Sequence, residues 1–65
     1  MGDESFREDA VHRVKNHLSV ILGFADLVLE ANGLSERARA DLAEIKKAAQ
    51  SALSELAQLE RTPRA

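Results

Sequence analysis

From about residue 4 to residue 31, apolar and polar positions alternate with the period of an α-helix. Val11, Val14, Leu18, Ile21, Ala25 and Val28 recur at spacings of three and four, the pattern of a helix seam. A second row, His17, Val20, Phe24, Leu27 and Ala31, runs beside it at the same spacing. Together the rows cover more than half the circumference. A coiled-coil pair needs only one narrow seam, so this helix calls for several neighbours.

Asn32 and Gly33 stop the pattern, glycine being the residue best suited to the left-handed turn past a helix end. The turn occupies about residues 32–35. Ser35 is a suitable N-cap for a second helix over about residues 36–61, with Glu36 in its first turn. Ala38 stands three residues after Ser35, so no capping box forms there. Along this helix Leu42, Ile45, Ala49, Ala52, Leu56 and Leu59 repeat the spacing, Leu53 widens the stripe, and Thr62-Pro63 ends it. Ser5-Phe6-Arg7-Glu8 reads as a capping box for the first helix, and residues 1–4 and 62–65 read as frayed ends. Two helices of about 40 Å joined by so short a loop must run antiparallel. The expected fold is all-α, a single domain over residues 1–65: an antiparallel two-helix hairpin that hides its wide stripes by dimerising into a four-helix bundle.

Composition narrows the function. With 65 residues the chain makes at most one small domain, and its 17 large apolar side chains after Met1 are few for a core built alone. No cysteine is present, so neither disulfides nor thiolate metal sites are available, and a reducing compartment suits the chain. A net charge of −2 argues against nucleic-acid binding. The mostly apolar run from Leu18 to Leu29 is short and is broken by Ser19, Gly23 and Asp26, so no membrane span is expected. An acidic beginning without a basic n-region does not read as a signal peptide. The expected location is cytoplasmic.

The two histidines, His12 and His17, fall on opposite sides of the first helix. With Val11 set at zero and about 100° per residue, the apolar rows run from roughly 160° round to 20°. His17 lies near 240°, inside that arc between Val20 and Phe24, and is expected to be largely buried against them and the second-helix leucines. His12 lies near 100°, on the polar side, with Glu8, Asn16, Ser19 and Gly23 around it. At i, i+5 the rings diverge by about 140°, against the i, i+3 or i, i+4 spacing that a shared metal needs. No glycine-flanked serine elbow exists for hydrolase chemistry. On position alone His12 is an ordinary exposed histidine.

The surrounding string changes that reading. His12-Arg13-Val14-Lys15-Asn16-His17-Leu18-Ser19-Val20-Ile21-Leu22-Gly23-Phe24 resembles the phosphoacceptor box of sensor histidine kinases. That box belongs to their dimerisation and histidine-phosphotransfer domain. The short turn and second helix agree in layout, so the resemblance spans nearly the whole chain. It implies that His12 is the phosphoacceptor, taking the γ-phosphate of ATP from a separate catalytic domain and passing it to an aspartate of a response-regulator receiver. An imidazole is available for this near neutral pH, and donor and acceptor domains both need it on an open surface.

Under the resemblance Asn16 matches a position associated with orienting water for dephosphorylation; a solvated asparagine is the alternative. Lys15, and more weakly Arg13, would steer phosphate, with a solvated lysine as the plain reading of Lys15. Many members carry an acid directly after the histidine, where this chain has Arg13; Glu8, one turn earlier, is a weak substitute as hydrogen-bond partner. His17 stands where many members have proline, which bends a helix, so this helix should be straighter. Gly23 suggests close docking of the receiver below His12. The chain has no room for the family's ATP-binding domain and is no autonomous kinase. It needs no cofactor of its own; ATP and Mg would sit on the separate domain. The partners implied are a second copy in a homodimer, the catalytic domain and the receiver. The other readings are a non-catalytic dimerisation hairpin, or a free-standing phosphotransfer or kinase-regulating protein.

Overall fold

The computed structural model describes the backbone of residues 2–61 and the side chains of residues 6–61. Helix α1 spans Gly2–Leu29 and helix α2 spans Glu36–Arg61. They pack against each other as an antiparallel hairpin 52 Å long and 16 × 12 Å in section. The fold is the all-α two-helix hairpin that the apolar spacing implies.

The ends of α1 differ from expectation. The backbone is already helical at Gly2, so Ser5 lies inside the helix and does not occupy an N-cap position. The capping-box reading of Ser5 and Glu8 therefore falls. Nothing between Gly2 and Ser5 breaks a helix, and Asp3 and Glu4 are acidic residues of the kind favoured near a helix start. At the other end α1 stops at Leu29, two residues short of Ala31. The Glu30 N–H donates to both Asp26 O (3.1 Å) and Leu27 O (3.2 Å), and the Ala31 N–H donates to Val28 O (3.0 Å). The last turn thus tightens from i−4 to i−3 pairing. Arg39 reaches back from α2 and donates from its guanidinium to the Leu29 carbonyl at 3.0 Å, taking up an acceptor that α1 leaves unpaired. Gly33 then turns the chain at φ 85°. The Ser35 hydroxyl accepts from the Ala38 N–H at 3.1 Å, the N-cap bond expected for α2.

Two ion pairs fix how the helices face each other. Lys15 meets Glu60 at 3.3 Å towards the open end, and Lys46 meets Asp26 at 2.8 Å nearer the loop. Their side chains are partly exposed, so each contributes about 1 kcal/mol or less. They set register more than stability. On that register Ala25 and Ala49 fall at the same level, and both are 5% exposed. Small side chains there let the helices approach closely. Val11 is the one other buried apolar residue among those described. Leu18, Leu22, Leu29, Leu42, Leu53 and Leu56 are only half-buried.

The hairpin covers one side of α1. The buried and half-buried apolar residues Val11, Leu18, Leu22, Ala25 and Leu29 centre near 0° on a wheel turning about 100° per residue. The exposed large residues Phe6, Val14, Val20, Ile21, Phe24, Leu27 and Val28 centre near 230° on the same wheel. His17, at about 240°, stands in the middle of that open face. It is exposed, not buried. The physical reason is directional: α2 approaches from the Val11–Ala25 side, well over 100° away around the helix.

Candidate functional site

His12 is held on the rigid middle of α1, on the turn beginning at Val11. It projects away from both α2 and the open apolar face. Its ring is exposed and makes no hydrogen bond or ion pair among the described residues. Both ring nitrogens are therefore accessible. Asn16 is one turn further along the same side, about 6 Å up the axis. It too is exposed, with an uncommitted amide. Glu8, one turn back, is exposed and has an interaction of its own. Freed from the capping box by the helix start at Gly2, its carboxylate lies on the flank of the helix that carries His12.

The basic residues divide. Arg13 is exposed, but its position near 200° points it towards the apolar flank, about 100° from His12. Lys15 is half-buried, and its ammonium bridges to Glu60 on α2. Part of its charge is thus matched within the hairpin, and its stem packs across the helix pair. Of the two, neither ammonium nor guanidinium converges on the His12 ring. The structure groups Glu8, His12 and Asn16 on one side and sets Lys15 and Arg13 apart from them.

Beyond Asn16 the same side continues through Ser19 to Gly23. A Cβ built at Gly23 would meet nothing within 4 Å, so no packing inside this chain requires glycine there. The side of α1 from Glu8 to Gly23 is thus a shallow polar strip that a second protein can reach along its length. Among the described residues no cluster of three or more His, Asp or Glu side chains is placed to hold a metal ion, and no helix is long and apolar enough to cross a membrane.

Sequence reasoning missed Arg39 and Lys46. Arg39 closes the end of α1, and its signal was weak: a basic residue in the first turn of α2, where the helix dipole disfavours it. Lys46 interrupts the apolar pattern of α2, and its partner Asp26 interrupts that of α1. Two opposite charges at matching distances from one loop are the pattern that marks such a pair.

No family model matches the chain, and no curated protein and no solved structure was found similar to it.

Proposed function

We propose that the chain is the phosphoacceptor and dimerisation module of a two-component sensor histidine kinase, with His12 as the acceptor. The observation that carries this reading is the exposed, unpartnered His12 ring at the centre of a polar strip on a rigid helix, with Asn16 one turn away. A nucleophile that serves two separate domains must stand clear of its own fold, and this one does.

In the reaction, a ring nitrogen of His12 attacks the γ-phosphorus of ATP held by a catalytic domain. An N–P bond forms, the bond to the bridging oxygen breaks, ADP leaves, and the ring loses its proton to solvent. An aspartate of a receiver then attacks the same phosphorus, the N–P bond breaks, and the imidazole takes a proton back. This chain's contribution is to hold the ring rigid and open. Asn16 orients water in the reverse, dephosphorylating direction. Arg13 and Lys15 contribute weaker electrostatic steering, reduced for Lys15 by its pairing with Glu60. The open strip down to Gly23 supports docking of the receiver below the histidine. Such a relay operates in the cytoplasm.

The same reading includes a homodimer. Three small or medium residues are buried in the hairpin, while Phe6, Val20, Phe24 and Leu27 are each more than half exposed. A second hairpin covering them completes a four-helix bundle. Sedimentation at micromolar concentration tests this half: a folded, helical monomer refutes it. The acceptor half is tested by phosphate transfer from a kinase catalytic domain and labelled ATP. His12→Gln should abolish acid-labile label and His17→Gln should retain it. Label persisting in His12→Gln overturns the reading and leaves a non-catalytic dimerisation hairpin.

A further inference from the structure

The open face of α1 is apolar with one exception. From Val14 to Val28 it is made of Val14, His17, Val20, Ile21, Phe24, Leu27 and Val28. His17 is the single ionisable group in that stretch, and it lies at the face's centre, not on its rim. Its neighbours one turn away on α1 are Val14, Val20, Ile21 and Arg13, of which only Arg13 is charged. At its level on α2 the charged residues are Glu55, Glu60 and Arg61, with Glu60 engaged by Lys15 at 3.3 Å. His17 makes no hydrogen bond or ion pair with any described residue. No carboxylate is in place to hold the ring charged.

We infer that a second copy of this chain covers this face chiefly through α1, and that protonation of His17 in the seam drives the two copies apart. The inference rests on the homodimer of the proposed function and adds to it a regulating group.

Three observations choose a second copy as the occupant. Seven of the nine exposed large apolar residues lie on α1 and two, Ile45 and Leu59, on α2. A face so unequally divided closes best by pairing with its like, each α1 supplying what the other lacks. The nine side chains offer on the order of 800 Å² per copy, the area of a standard specific interface. A lipid surface fits poorly, because α1 carries Asp3, Glu4, Glu8, Asp9 and Asp26 against Arg7, Arg13 and Lys15, and membrane-lying helices favour a basic polar side.

Burying an imidazolium among Val20, Phe24 and Leu27 leaves a charge with no partner, whereas the neutral ring is tolerated. A leucine at this position would simply extend the row; histidine makes closure of the seam depend on proton concentration. The sign follows directly. The dimer favours the neutral ring, so association is full above the ordinary histidine range and weakens as pH falls through about 6.5. Two-fold symmetry puts two rings in each seam. If both must be neutral, the dissociation constant rises about 100-fold between pH 7.5 and 5.5.

The test is sedimentation equilibrium of the full chain at pH 7.5, 6.5 and 5.5, for wild type, His17→Leu, His17→Gln and His12→Gln. Wild type and His12→Gln should weaken by about 100-fold, while both His17 variants should dimerise independently of pH. A wild-type dimer with a constant that does not change overturns the proton-sensitive seam and leaves the homodimer standing. A slope that survives in both His17 variants overturns it too, placing the titration elsewhere. A monomer at every pH overturns the dimer itself. Phosphate uptake by His12, measured separately, is unaffected by any of these outcomes.

Discussion

Phe24→Ala separates a hairpin that stands alone from one that dimerises. Phe24 is 63% exposed in the hairpin. In a monomer its truncation removes a side chain that is mostly in water already, and alanine is the better helix former, so stability should hold or rise slightly. In a dimer the exposed part becomes seam. An aromatic side chain buries roughly 150–250 Å², so about 130 Å² of Phe24 is available to a partner. At about 25 cal/mol per Å², the loss is on the order of 2–3 kcal/mol for each copy after the alanine methyl is allowed for. Symmetry removes two such side chains at once, about 5 kcal/mol in all, which weakens association by three to four orders of magnitude. Sedimentation measures the association, and urea unfolding followed by circular dichroism at several protein concentrations measures the coupled stability. Unchanged association together with unchanged or increased stability would refute the idea that this face is covered by a second copy.

Three further outcomes follow from single residues. Gly23→Ala should stabilise α1 by about 0.5–1 kcal/mol, since nothing lies within 4 Å of the added methyl; if the receiver docks there, phosphate transfer to it should slow even as the melting temperature rises, and equal transfer rates would remove Gly23 from the docking surface. Ser35→Ala deletes the bond from the Ala38 N–H and should cost about 1 kcal/mol in urea unfolding, with Ser35→Asn or Ser35→Asp restoring most of it. Asn16→Ala should slow dephosphorylation of a cognate receiver while His12 still accepts phosphate; loss of both activities together would mark Asn16 as structural.

Periodicity alone determined the two helices, their antiparallel sense and the turn between them, because three-four spacing, Gly33 and Ser35 act through neighbours close in the chain. Local signals also misled. Ser5 to Glu8 has the wording of a helix start, yet the helix begins earlier at Gly2, since a capping motif is only a preference and the preceding residues are free to be helical. The end of α1 at Leu29 depended on Arg39, ten residues away, which no local pattern contains. For the candidate site, the exposure of His12 and Asn16 was legible from angle alone, as polar positions opposite an apolar arc. The engagement of Lys15 with Glu60 was not, because that ion pair joins residues 45 apart. The sequence by itself showed that the apolar arc of α1 is too wide for one neighbour. Only the packed hairpin decided which part of the arc α2 takes, the Val11–Ala25 side, and left Phe24 and His17 facing outward. A helix wheel gives the angle of each residue about its own axis, but the direction of the second helix comes from contacts such as Ala25 with Ala49 at one level and Lys46 with Asp26, made across the fold.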